Sequence, residues 1–172
     1  MLNFKSEYDK RDSVEIGSNS QLLFEQIAAS KGFGITRATS LQDMKEHWDL
    51  EIIKNNVTLK VDVKGLKRLN RWSDNFQEDW LWIELRGNGY NNKGWLYTDT
   101  PVVISFETFD SFVFITKQKI KQIVNDFVKP EMVNKSFDAK YKHYNRYGRE
   151  DLLTLIETRL VTESNCGIWK KE

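Results

Sequence analysis

Two aspartates and a lysine within residues 48–65 have the types and spacing for metal-assisted hydrolysis. Asp49-Leu50-Glu51-Ile52-Ile53 and Val57-Thr58-Leu59-Lys60-Val61-Asp62-Val63-Lys64 both alternate, as half-buried strands do. Between them stands Lys54-Asn55-Asn56. Asparagine tolerates positive φ, so Asn55-Asn56 suits a two-residue primed turn. That turn pairs Lys54 with Val57, Ile52 with Leu59 and Leu50 with Val61, and sets Asp49 opposite Asp62. Leu50, Ile52, Leu59, Val61 and Val63 form the expected core face. Asp49, Glu51, Lys60, Asp62 and Lys64 share the other. Opposed Cβ atoms lie roughly 4.5–5.5 Å apart, where like charges destabilise a sheet. A divalent cation between the two acids would reverse that penalty. Lys64, two residues beyond Asp62, projects from the same face. Two acids and a lysine converging on one patch suit metal-dependent phosphodiester hydrolysis.

The signal is the constellation rather than the tripeptide. Acid-x-lysine occurs three times, as Asp43-Met44-Lys45, Asp62-Val63-Lys64 and Asp138-Ala139-Lys140. Only the second lies in an alternating strand with another acid opposite. The plainer alternative is an edge hairpin with a solvated charged face, in which Glu51 and Lys60 form an ordinary cross-strand pair.

In these residues the chain resembles the PD-(D/E)XK nuclease superfamily, with Asp49 as the lone acid and Asp62-Val63-Lys64 as the D-x-K element. Trp48 stands where that pattern has proline. The resemblance implies an α/β (α+β) restriction-endonuclease-like core, a mixed central sheet flanked by helices in the order αβββαβ. It implies Mg²⁺ or Mn²⁺ held by Asp49, Asp62 and the Val63 carbonyl, with Lys64 orienting or deprotonating the attacking water. It also suggests a first-helix glutamate facing the metal. Glu25 fits that role by position, and fits equally as a solvated helix residue.

Composition sets the bounds. The 172 residues suit one domain able to bury a real core. We expect a polar lead-in over 1–17 and a single nuclease-like domain over 18–172. The net charge is only +1, so nucleic-acid binding would need local patches. The single cysteine, Cys166, excludes an intramolecular disulfide and a cysteine-based zinc site, and fits a reducing, cytoplasmic setting. No apolar run approaches the ~20 residues that span a bilayer.

The spacing predicts a helix from Ser18, with Gln21 at capping-box distance, ending at Gly32. A short strand is expected within 33–39, while Leu41–Glu46 is ambiguous. Strands are expected at 80–85, 94–97, 102–106 and 112–115. Ile120, Ile123, Val124, Phe127 and Val128 predict a helix stopped by Pro130. A polar segment over 131–149 precedes a final helix with Leu152, Ile156 and Leu160 on one face. Residues 79–116 read as mostly extended, where the resembled core has a helix. Either extra strands enlarge the sheet or Pro101–Phe109 is partly helical.

Glu84, flanked by apolar residues, needs a partner, whether metal, arginine or a structural contact. His47 and His143 stand in no motif and read as surface or packing residues. Lys67, Arg68 and Arg71 follow the D-x-K strand and are expected to hold a phosphate backbone. Lys140, Lys142, His143, Arg146 and Arg149 interleave with Tyr141, Tyr144 and Tyr147, as a weaker contact or a linker with packing tyrosines. Trp80, Trp82 and Trp95 read as core and sheet-face residues rather than a stacking platform. The expected activity is a divalent-metal-dependent nuclease or endonuclease, on DNA in preference to RNA, acting as a homodimer or within a larger assembly. Small restriction, repair and phage enzymes are the types the resemblance covers. The alternative is a non-catalytic binding or inhibitor module that keeps the fold.

Overall fold

The computed structural model describes residues 4–69, 75–89, 91–100 and 102–172. Its centre is the expected hairpin. Strand β2 (Leu50–Lys54) turns through Asn55 and Asn56, at φ 51° and 62°, into β3 (Val57–Lys64). The register is Leu50 with Val61, Ile52 with Leu59 and Lys54 with Val57. The expected Asp49–Asp62 pair does not continue this register: just before β2 the Asp49 N–H donates to the Val61 carbonyl at 2.9 Å, so Asp49 and Leu50 both lie against Val61.

The hairpin shares a six-stranded sheet with β1 (Gly34–Arg37), β5 (Val103–Glu107), β6 (Ser111–Thr116) and β10 (Gly167–Lys170). Their order is β1-β2-β3-β5-β6-β10. β3 and β5 run parallel, and the other neighbours are antiparallel. A second, four-stranded sheet contains β4 (Trp80–Arg86), β7 (Lys129–Val133), β8 (Lys142–Tyr144) and β9 (Leu152–Glu157). Its order is β4-β9-β8-β7. Helices are α1 (Phe4–Ser30), α2 (Ser40–Glu46), α3 (Lys117–Phe127) and α4 (Thr158–Glu163). The architecture is mixed α and β, as expected.

Two cores follow from strand alternation. Phe24, Ile27 and Ala28 of α1 pack on Leu50, Ile52, Val61, Val63, Phe112 and Phe114. On the sheet's other face, Ile104, Phe106, Val113 and Ile115 meet Ile120, Ile123 and Val124 of α3 and Leu81, Ile83 and Leu85 of β4. Asp62 and Lys64 pair with Ile104 and Phe106, so they look into this second space between layers.

Several expectations change. α1 begins at Phe4, so residues 4–17 are helical rather than a lead-in and Ser18 lies mid-helix. The Ser20 hydroxyl lies against the Ile16 carbonyl, a mid-helix back-bond in place of a cap. Residues 41–46 are helical, capped by a reciprocal Thr39–Gln42 box. Residues 95–97 form a 3₁₀ turn, not a strand. Residues 103–107 are a strand, so extra strands rather than a helix fill the region after β3. The 131–149 segment contributes β7 and β8, and residues 152–157 are a strand before α4. Leu59 stays largely exposed, because the hairpin tip outruns the α1 core. Among the described residues no helix is long and apolar enough to cross a membrane.

Candidate metal and phosphate site

The site gathers where β2 begins and β3 ends. Asp49 Oδ2 accepts the Val63 N–H at 2.7 Å, fixing its carboxylate over β3. The N–H and C=O of one strand residue point to the same edge, so the Val63 carbonyl also faces the Asp49 side. Lys64 Nζ lies 2.7 Å from Asp62 Oδ1 and 5.2 Å from the Trp95 ring centre. Asp62 is only 3% exposed. Its second oxygen, Oδ2, is buried without a hydrogen-bond partner.

The electrostatics match that geometry. Burial first, and the Asp62 charge second, push the Asp49 carboxyl up to about 7, against the pull of the Val63 N–H and Lys64. Burial pulls the Lys64 amine down, but Asp62, then Asp49 and Glu84, outweigh it and hold it above its ordinary value. Lys64 is therefore an ammonium at neutral pH. Two carboxylates side by side, one with an orphaned buried oxygen, form a donor set short of positive charge. Mg²⁺ and Mn²⁺ suit it: a hard cation takes one or two carboxylates and completes its shell with water and phosphate oxygens. Among the described residues no three His, Cys, Asp or Glu side chains converge as a complete protein cage.

Glu25 does not join this group. It forms a two-pronged ion pair with Arg37, at 2.7 Å from both Nε and Nη2. Arg37 pairs with Leu50, on the α1 face of the sheet, opposite to Asp62. A glutamate on α1 is thus separated from the acid pair by the sheet. Glu84 of β4 instead contributes to the Lys64 environment, from an element distant in sequence. The expected Glu51–Lys60 register pair forms, yet the Lys60 ammonium goes to Glu46 at 3.0 Å and over the Trp48 ring at 4.5 Å.

Further cations approach. Lys67 is half-buried, and burial, then Lys64 and Arg146, lower its pKa. Arg68 packs over Phe76 at 4.9 Å, and its carbonyl accepts the Trp82 indole N–H at 3.2 Å. Arg71 lies outside the described residues. Lys117, the first residue of α3, is a site neighbour that sequence reasoning misses; it is buried and within the field of Asp62. Its Nζ donates to Thr98 Oγ1 at 2.6 Å and to the Thr100 carbonyl at 3.1 Å. Helical patterning alone places Lys117 on a solvated lysine-rich turn, so no local signal marks it.

Gly65 follows Lys64 immediately. A Cβ there would collide with Ser20 Oγ and press on the Glu107 carboxylate. Glu107 also accepts the Leu66 N–H at 3.3 Å and the Lys171 ammonium at 2.7 Å. This anchors the exit of β3 against α1, β5 and the C-terminal segment. In comparisons with known proteins, no family model, no curated protein and no solved structure matches this chain.

Proposed function

We propose that this protein is a divalent-metal-dependent nuclease of PD-(D/E)XK type, hydrolysing phosphodiester bonds in DNA. The observation that carries this reading is the acid pair itself. Half-buried Asp49 lies within the field of buried Asp62, Asp62 Oδ2 is unpartnered, and Lys64 is paired with Asp62. Two strands pinned by a tight turn hold that arrangement, at a cost in stability that an ordinary surface hairpin would not carry. The six-stranded sheet is mixed, as the resemblance implies, although strands occupy the place of the resembled core's helix.

Asp49 and Asp62 would hold Mg²⁺ or Mn²⁺, with the Val63 carbonyl able to complete the inner shell. The cation, when bound, neutralises charge on the scissile phosphate and activates water. Lys64, kept protonated by its acidic neighbours, donates to the attacking water or a phosphate oxygen and offsets charge as it develops. It acts as an electrostatic group rather than a base. Trp95 shields its ammonium from one side. Lys67 and Lys117 add positive charge around the phosphate.

The direct test is incubation of purified protein with supercoiled plasmid and with circular single-stranded DNA. Mg²⁺- or Mn²⁺-dependent cleavage that chelation abolishes supports the reading; metal-independent or absent cleavage refutes it and favours a binding or inhibitor module.

A second expectation concerns Lys67, Arg68 and Arg71. Neutralising all three should weaken duplex binding and flatten its salt dependence, by about 0.9 in log–log slope for each phosphate no longer neutralised. Unchanged affinity and slope would mean that the substrate does not cross this surface.

A further inference from the structure

We infer that the face of the second sheet carrying Trp82 and Tyr144 is a track for a single strand of nucleic acid, leading it to the Asp49–Asp62 site. This inference rests on the nuclease reading and names its substrate class. Alternation along β4 sends Leu81, Ile83 and Leu85 into the core and leaves Trp80 and Trp82 on the opposite side. Both indoles remain half-exposed. Tyr144 of β8 meets Trp82 with ring centres 5.8 Å apart, and Tyr141 meets Trp80 edge-on at 5.4 Å. Tyr147, just beyond β8, is fully exposed.

Cations line the same surface. Lys140 Nζ sits 4.6 Å from the Trp80 ring centre. Arg146 is anchored by the buried Asp151 carboxylate, which also accepts the Arg146 main-chain N–H at 3.1 Å. A guanidinium has five N–H donors, more than one carboxylate takes up, so an anchored arginine can still meet a phosphate. This face borders the site: the Trp82 indole N–H is bonded to the Arg68 carbonyl, four residues after Lys64, and Lys67 feels the charges of both Lys64 and Arg146.

Rings alternating with cations match one chemistry best. Bases stack on aromatic faces while phosphates follow the positive charge. A duplex hides its base faces and cannot use the rings. Asp62 is buried, and a single strand bends towards a buried carboxylate more readily than a duplex does. Glu84 and Glu157 limit the positive potential here, which makes stacking the larger share of the affinity.

The test is fluorescence anisotropy in chelator, with labelled oligo-dT, oligo-rU and a hairpin duplex of matched length. The wild type is expected to bind a single strand at least about tenfold tighter than the duplex, and the dT and rU arms decide between DNA and RNA. Tyr144→Ala with Tyr147→Ala should lower single-strand affinity about tenfold or more. Lys140→Gln with Tyr147→Ala, which leaves the Trp82–Tyr144 contact intact, should lower it in the same direction and guards against misfolding of the first variant. Mn²⁺-induced thermal stabilisation should be unchanged in both.

Equal or tighter duplex binding, variants that bind like the wild type, or a wild type that binds no oligonucleotide would each overturn the track. The last outcome would assign this face to a protein partner. If cleavage depends on Asp62 while the aromatic variants bind and cut single strands normally, the track alone fails. If the variants lose binding but no protein cleaves, the nuclease reading fails and the track stands.

Discussion

Replacing Asp62 or Lys64 by alanine is expected to reduce cleavage by about 10²–10⁴-fold, the range for loss of a positioned proton donor or a preorganised charge. DNA affinity should change far less, because backbone contacts outside the acid pair hold the substrate. The two variants should differ in a second way. Asp62→Ala removes a negative charge beside the phosphate path and can tighten DNA binding. It also strips the Lys64 ammonium of its 2.7 Å partner and relieves Asp49 of a like charge. Asp62→Asn keeps the shape and serves where the alanine variant folds poorly. Cleavage assays under single-turnover conditions, paired with binding in chelator, separate these effects. Full activity in either folded variant would remove both residues from the chemistry.

Asp49→Asn should make the metal-free protein more stable at alkaline pH. The folded-state carboxyl, at about 7, lies above the ordinary unfolded value of about 3.9. Below about pH 4 both states are protonated, and the group has no effect on folding. Between about 4 and 7 the unfolded chain gives up the proton while the folded chain keeps it, so stability falls as pH rises, by about 1.4 kcal/mol per unit. Above 7 the penalty is constant, at most about 4 kcal/mol. Asparagine can still accept the Val63 N–H and carries no charge. Urea denaturation in chelator from pH 4 to 9 should show the two proteins converging at the acid end and separating towards pH 8. Adding Mg²⁺ at pH 8 should then stabilise the wild type and leave the variant nearly unmoved. A variant less stable than the wild type at pH 8 would show that the Asp49 charge is welcome in the metal-free fold, contrary to the reading of the site as an acid pair short of positive charge.

The hairpin was legible because its determinants are local. Asn55-Asn56 accepts positive φ at both positions, and a period-two pattern on each side leaves one register that buries Leu50, Ile52, Val61 and Val63 together. From that register the common face of Asp62 and Lys64 follows without further information, whereas the place of Asp49, against Val61 instead of opposite Asp62, does not. The α3 helix was similarly visible, since its apolar stripe has one period and Pro130 bars continuation.

Other features depended on partners far along the chain. Leu152, Ile156 and Leu160 fit a helical stripe, yet Leu153 and Leu155 fit a strand equally well. Pairing with β4, some seventy residues earlier, selects the strand, because the edge of β4 must be hydrogen-bonded. Glu25 had the right position along its helix, but which face of the sheet α1 covers is a matter of packing. Phe24, Ile27 and Ala28 place it on the Leu50 side, away from the acids. Lys117 and Glu84 reach the site's electrostatic field only through tertiary folding, from α3 and from a second sheet. Sequence alone thus determined which residues could do the chemistry and how two strands align them, since turn geometry and alternation act over a few residues. Only the tertiary structure decided what surrounds them, since burial, orphaned oxygens and neighbouring charges depend on contacts between distant segments.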